Sequence, residues 1–339
     1  MNEPVKILAI ESSCDDTSVA IVDGDYRVLV NLVSTQPEHN LYGGVVPELA
    51  SRLHIKNVMT LTQSALLKSG NTLQDISAIA VSVNPGLIGS LLVGLSFAKS
   101  LAYALQKPLI TVNHMLGHVF AAKLENPLLK PPYLALVVSG GHTELVFFKT
   151  ESDFAIIGKT KDDAAGEAFD KAAKLLHLGY PGGPVIDKLS QEGNPDFIEF
   201  PRGLKQKADY DFSFSGLKTS IMTYISKQSP QFIEDHKADI AASVQMAIID
   251  VLVRKTVSYA RSKHIEHIIV VGGVSANRTL RKLMTISADK YHIGTSYPRL
   301  EYCMDNAAMI AAAALGKWER KEFSDLDVNA FSTKGLRYL

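Results

Sequence analysis

A chain of 339 residues, 46% of them hydrophobic, is long for one domain and comfortable for two, with apolar residues enough for two cores. Its 35 Lys and Arg balance 35 Asp and Glu, so no global field draws it to nucleic acid; any such binding needs a local patch or a partner. Two cysteines, Cys14 and Cys303, are too few for a disulfide framework and point to a reducing cytoplasm.

The N-terminus enters a strand interrupted by Lys6 and Glu11, without the basic region and apolar core of a signal peptide. Val5 to Ile10 reads as that strand, Glu11 to Asp16 as a polar loop, and Thr17 to Val22 as a second strand. Asp23-Gly24 turns the chain into a third, Tyr26 to Asn31. A helix over Pro47 to Leu67 precedes a strand, Ile76 to Val83, and a second helix, Ile88 to Leu105. That helix is broken by Ser90, Ser96, Lys99 and Ser100 and is too mixed to span a bilayer. A strand, Pro108 to Val112, leads into a helix starting near His114.

The pattern then repeats. Leu134 to Val138 is continuously apolar and reads as a strand buried on both faces; Ser139-Gly140-Gly141-His142 follows, then Glu144 to Phe148 and Phe154 to Gly158. Helices between Asp163 and Lys263 precede a strand, His267 to Val271, then Gly272-Gly273 and a helix from about Ala276. A last strand, Tyr291 to Tyr297, leads into a helix from near Asp305. Two such halves face each other across a cleft in the α/β class of actin, sugar kinases and Hsp70, the duplicated ASKHA fold, an analogy that carries no function by itself. The lobes expected are residues 1–112, with a C-terminal segment of about 315–339 packing back on them, and 113–314, with a basic and aromatic insert at about 195–220.

Several stretches carry candidate chemistry beside a plainer use. The glycines of Ser139 to His142 can offer backbone N–H groups to an anion, or make an ordinary hairpin turn. Glu11, Asp15 and Asp16 can hold a metal through water or accept a proton, and equally suit turn and cap chemistry; Cys14 is a nucleophile only if a base stands beside it. Asn84 to Ser90 opens a helix but lacks the Lys of a Walker loop. His114 and His118 stand at i and i+4, where two imidazoles can reach one metal, and Met115 excludes the zincin pattern. Asp305 opens the matching helix of the second half, and two His with one carboxylate is a recognised divalent-metal set. Asp170 lies near the polar side of a helix, Gly182-Gly183 form a rigid turn, Asp187 one turn further can bind a ribose, and Gly272 to Arg278 can seat a base or ribose. Arg202, Lys205, Lys207 and Lys218 alternate with Tyr210, Phe212 and Phe214, which suits RNA, or a solvated insert with its aromatics tucked beneath.

Taken together, ESSCDDTSVAIV, GGVVPELASRLH, NPGLIGSLLVG, VNHMLGH, VVSGGHTEL, GEAFDKAAKLL, GYPGGPVIDKL, FSFSGLKTS, VVGGVSANRTLR and YCMDNAAMIA span nearly the whole chain. They closely resemble the TsaD family of tRNA N6-adenosine threonylcarbamoyltransferases; Asp16 stands where Glu is more usual, Leu116 where Glu is common and Met304 where Thr is common. The resemblance implies that His114, His118 and Asp305 bind one divalent metal, usually iron, with zinc or magnesium possible in preparations. It also implies that Val137, Val138, Ser139, Gly140, Gly141, Asp170, Gly183, Asp187 and Asn277 contact an adenylate, and that Asp15 and Asp16 serve activity.

The implied reaction moves a threonylcarbamoyl group from threonylcarbamoyl-AMP to the N6 amine of the adenosine beside the anticodon, in tRNAs reading codons that start with A. ATP, ADP or AMP can occupy the same site. The resemblance also implies a TsaB-like paralogue and a TsaE-like ATPase as partners, and no membrane. A kinase or ATPase of the same fold and a non-catalytic subunit of the modification complex are the rival classes.

Overall fold

The computed structural model describes residues 4–42, 44–204 and 209–332. They fall into two compact units, Met1–Leu129 with Pro298–Leu339, and Lys130–Tyr297.

In the first unit, β1 (Lys6–Glu11), β2 (Asp16–Asp23) and β3 (Val28–Thr35) form an antiparallel ribbon. Helix α1 (Pro47–Ser69) leads to β4 (Ala78–Asn84), α2 (Ile88–Leu105), β5 (Leu109–Asn113) and α3 (His114–Phe120). The sheet order is β3-β2-β1-β4-β5, with β4 parallel to both β1 and β5. Every residue of β4 is buried, as in a strand covered on both faces. Strand β3 begins later than the sequence suggests, because Tyr26 takes φ 62° and closes the turn, its N–H bonding Asp23 O at 3.0 Å. Helix α2 is long and apolar enough to cross a membrane by length and composition. Its Ser90, Leu91, Gly94, Leu95, Ala98 and Ala102 are nonetheless buried in this unit.

The second unit repeats the plan. β6 (Tyr133–Val138), β7 (Thr143–Phe148) and β8 (Phe154–Lys159) are antiparallel, followed by α4 (Ala165–Leu175), α5 (Gly182–Ser190), α6 (Ser215–Ile225), α7 (Pro230–Asp235), α8 (Lys237–Ser262), β9 (His267–Val271), α9 (Arg278–Asp289) and β10 (Gly294–Ser296). The order is β8-β7-β6-β9-β10, with β9 parallel to β6 and β10, so both sheets share one topology. Strand β10 is shorter than expected because α9 unwinds through His292, at φ 59°, with Ile293 N bonding back to Ala288 O.

The described phenylalanines of the insert form no exposed platform for RNA. Phe200, Phe212 and Phe214 are at most 3% exposed and belong to the core of this unit, and Tyr210 packs edge-on against Tyr259. Arg202 pairs with Asp250, Lys218 lies exposed on α6, and Lys205 and Lys207 lie outside the described residues.

The last helix, α10 (Ala307–Glu319), lies in the first unit on β1, β2 and α3. Residues 113–129 and 298–314, assigned from sequence to the C-terminal lobe, therefore belong to the first unit. The reason is local: α3 starts on the last residue of β5, and α10 covers the same sheet. Beyond it, Ser324 N bonds Leu109 O at 2.8 Å and Phe331 N bonds Val83 O at 3.1 Å. Residues 333–339, the end of the segment expected to return to the N-terminal lobe, lie outside the described residues, as does Gly43.

Gly272 combines a tight crossing in the second unit with left-handed backbone: its φ is +88°, and a Cβ there would sit 2.4 Å from Val138 O. Gly272→Ala is expected to cost on the order of 2 kcal/mol, read as a lowered melting temperature. An unchanged melt would contradict this crossing.

Candidate active site

Strand β5 ends at Asn113, whose carboxamide oxygen caps α3 by accepting from Met115 N at 2.9 Å and Leu116 N at 3.1 Å. His114 is thereby the first helical residue and His118 lies one turn on, their rings edge-to-face at 4.8 Å. Both are buried, His114 at 7% and His118 at 1% exposure. Gly117 lets α10 approach, since a Cβ there would meet Ile310 Cδ1 at 2.8 Å.

Asp305 sits just before α10, where Asn306 caps the helix by accepting from Met309 N at 3.0 Å. Ala307 N bonds Ser18 Oγ at 2.8 Å and Ala308 N bonds Asn31 Oδ1 at 3.3 Å, which fixes this helix end to β2 and β3. Asp305 Oδ1 then lies 3.4 Å from His114 Nε2 and 3.2 Å from His118 Nε2.

These separations suit ligands of one ion. Two atoms each bound at about 2.1 Å with tetrahedral or octahedral angles are about 3.0–3.4 Å apart. Among the described residues neither ring nitrogen of His118 has a hydrogen-bond partner of good geometry, although Nε2 lies near Asp305. A buried imidazole left unsatisfied in this way is costly unless a cation takes its lone pair. The ligand atoms of all three residues lie within 4.8 Å of one another. Ligands at about 2.1 Å are at most about 4.2 Å apart, so a small side-chain adjustment closes the set.

His114 is backed from behind. Its Nδ1 lies 3.1 Å from Glu11 Oε2 and 3.0 Å from Ser13 Oγ, while Glu11 Oε1 accepts from Ser13 N at 2.6 Å. A carboxylate on Nδ1 turns Nε2 toward Asp305, the usual arrangement behind a His able to bind a metal. Burial opposes charge on His114, yet Asp305 and Glu11 hold it well above the usual imidazole range. Burial would raise the Asp305 and Glu11 carboxyls, but His114 outweighs it and lowers both. Glu11 is fully buried, and its service to a histidine 103 residues away was not legible in the sequence.

The loop after Glu11 carries the other acidic candidates, both half-buried. Burial raises Asp16 to about 6, with Asp305, Asp15 and Glu11 adding to the rise and Thr35 opposing it. Its Oδ1 has no hydrogen-bond partner among the described residues. For Cys14, burial first and then the Asp15 carboxylate push the thiol far above the usual range, which disfavours a nucleophilic thiolate.

In the second unit, glycines bring four elements together. A Cβ at Gly166 would meet Ser139 O at 2.6 Å, one at Gly182 would meet Asp170 Cα at 2.7 Å, and Gly272 crosses Val138. Ser139 N bonds His142 O at 2.8 Å, and Gly140, Gly141 and Gly183 have open space where a side chain would be. Asp170 accepts from Gly182 N at 2.7 Å and so caps α5, and burial raises its carboxyl. Asp187 is 9% exposed and accepts from Arg278 N at 3.4 Å through Oδ2, while Oδ1 has no hydrogen-bond partner among the described residues. Asn277 is spent internally, capping α9 through Leu280 N and donating to Gln245 Oε1 at 2.6 Å. Val137 and Val138 are fully buried strand residues whose side chains face no solvent.

The sequence profile of the TsaD family, tRNA N6-adenosine threonylcarbamoyltransferase, matches residues 27–312. A Clostridium botulinum tRNA N6-adenosine threonylcarbamoyltransferase is 48% identical over 331 residues, 97% of each chain. One from Clostridium beijerinckii is 50% identical over 325 residues, 96% of each chain. Among solved structures, full-length HypF in a phosphate- and nucleotide-bound form superposes with TM-score 0.63 at 13% identity, over 94% of this chain and 56% of that one. Component A of the Acidaminococcus fermentans (R)-2-hydroxyglutaryl-CoA dehydratase superposes at 0.56 with 11% identity, over 94% and 99%. These last two likenesses bear on the fold alone.

Two outcomes follow from the site. Glu11→Gln, which keeps the shape but removes the charge behind His114, should weaken binding of a divalent metal about 10–100-fold in titration calorimetry. Unchanged affinity would contradict that backing. Because the folded protein holds the Asp16 proton more tightly than the unfolded chain, Asp16 lowers stability progressively between about pH 4 and 6 and fully above that. Asp16→Asn should therefore stabilise the protein at pH 7 by on the order of 2 kcal/mol and have little effect at pH 4, measured by denaturant unfolding at both pH values.

Proposed function

The chain belongs to the TsaD family of tRNA N6-adenosine threonylcarbamoyltransferases, and we propose that His114, His118 and Asp305 hold one divalent ion, iron(II), for the transfer. The enzyme forms threonylcarbamoyladenosine in tRNA. That activity prevails over an ATPase, a kinase or a non-catalytic subunit, because the relatives that share nearly the whole chain bear the transferase name. What supports the metal assignment is the convergence of two buried imidazoles and one carboxylate, with an imidazole, that of His118, that has no hydrogen-bond partner among the described residues.

The donor in this reading is threonylcarbamoyl-AMP, a mixed anhydride. The adenosine N6 lone pair attacks the carbamoyl carbon, a C–N bond forms, the bond from carbon to the phosphate oxygen breaks, and AMP leaves with that electron pair. No covalent enzyme intermediate is needed, so the protein supplies alignment and charge stabilisation. When bound, the ion polarises acyl or phosphate oxygens.

The chain's own residues do the rest. Backbone N–H groups of Gly140 and Gly141 receive the phosphate in the open space beside the glycines. Asp187 Oδ1, lacking a protein donor, accepts a ribose hydroxyl. Gly183 gives the adenylate close access to backbone, Asp170 holds that turn in place, and Asn277 contributes by fixing the start of α9. Asp15 takes the proton lost by the amine, and Asp16, whose carboxyl titrates at about 6, stands beside it in sequence as a second acceptor. The setting is the cytoplasm, with a TsaB-like paralogue and a TsaE-like ATPase as partners.

The test is transfer of labelled threonylcarbamoyl to unmodified tRNA, with and without the partners. Wild type should modify tRNA and His114→Ala should lose at least about 100-fold in rate. ATP turnover without any tRNA product would favour the kinase or ATPase reading. Asp15→Asn should slow single-turnover transfer about 100-fold or more while adenylate binding stays nearly intact, and an unchanged rate would remove Asp15 as the base.

A further inference from the structure

His54 lies on α1, far in sequence from every candidate ligand, and is fully buried. Its two ring nitrogens meet the acidic loop and the strand that follows it: Nε2 is 2.9 Å from Cys14 O, and Nδ1 is 2.7 Å from Thr17 Oγ1. A carbonyl oxygen only accepts, so Nε2 carries the proton and donates to Cys14; Nδ1 is then the acceptor, and the Thr17 hydroxyl donates to it. One neutral imidazole therefore grips both flanks of Asp15 and Asp16. Burial, opposed by the Cys14 contact, lowers its pKa and keeps it neutral.

The preceding part of the loop is held just as closely. Ser12 Oγ donates to Ser90 O at 2.9 Å, and Leu87 N donates to Ser13 O at 2.8 Å. Gly86 permits that approach, since a Cβ there would meet Ser13 O at 2.5 Å. Ser13 Oγ lies against His114. Residues 11–13 are thus tied to the metal centre and the start of α2, while His54 supplies the side-chain anchors that come immediately before and after the two aspartates.

We propose that His54 is a positioning residue for the transfer: by bridging Cys14 O and Thr17 Oγ1 it sets where Asp15 and Asp16 stand, without touching substrate or metal. A histidine that merely filled the core would affect stability and leave turnover per folded molecule unchanged. A positioning residue lowers kcat with little effect on KM, because a displacement of about 1 Å at the reacting groups can cost about 100-fold. This role rests on the transferase reading, and wild type run alongside separates the two: a wild-type protein that loads metal but modifies no tRNA overturns the reaction itself.

His54→Ala is expected to lower kcat for threonylcarbamoyl transfer about 10–100-fold, with KM for threonylcarbamoyl-AMP within about twofold and metal content unchanged. His54→Gln, whose amide nitrogen can replace the Nε2 donor, should restore kcat to within about threefold of wild type. Nitrogen-15 spectroscopy of the imidazole should show the neutral Nε2–H tautomer in wild type at neutral pH. Wild-type kcat in His54→Ala, a loss that His54→Gln does not restore, or the opposite tautomer would each overturn the proposal. If His54→Ala does not fold, the near-isosteric Thr17→Val carries the test: kcat should fall about 3–10-fold, and an unchanged kcat overturns it.

Discussion

Glu11 and Asp305 press on one imidazole, that of His114, from opposite ring nitrogens. Two carboxylates drawn into a buried site are stable only if a cation sits between them, because desolvation otherwise forces them to take up protons. In the metal-free chain a proton on His114 meets that need, held by the two acids against burial. The divalent ion proposed for the site would meet it better, with His114, His118 and Asp305 as the residues to hold it and Glu11 backing His114 Nδ1.

The fold supplies that pairing through two helix starts. Asn113 and Asn306 cap α3 and α10, so His114 and Asp305 each occupy a position fixed by a cap. Ser18 ties α10 to the sheet, and Gly117 lets the helices close. The acidic loop after β1 joins the same framework through Ser13 and, further on, through His54. The candidate metal ligands, the carboxylate behind them and the candidate proton acceptors are thus one packed object within the first unit.

Much of this was legible in the sequence, and the gaps have physical causes. Apolar runs of strand length separated by glycine turns marked the strands of both halves along the chain, because strands such as β4 and β6 are buried on both faces and read as continuous hydrophobic stretches. The pairing of His114 and His118 was readable from helical spacing, and Asp305 from its place in the repeat. Glu11 and His54 were not, since their partners lie 103 and 37–40 residues away and neither forms a local pattern. The insert misled in one of its two readings: Phe212 and Phe214 alternate with charged and polar residues, as in an RNA platform, yet the same alternation buries the rings beneath the loop. The start of β3 and the extent of β10 shifted because Tyr26 and His292 adopt left-handed backbone that composition does not announce.

X-ray absorption spectroscopy on the protein loaded with iron(II) tests the central claim most directly. A first shell at about 2.0–2.2 Å showing multiple-scattering from two imidazoles, reduced to one in His118→Ala, is the predicted result. A shell of water and carboxylate oxygens alone, unaltered by that substitution, would contradict it.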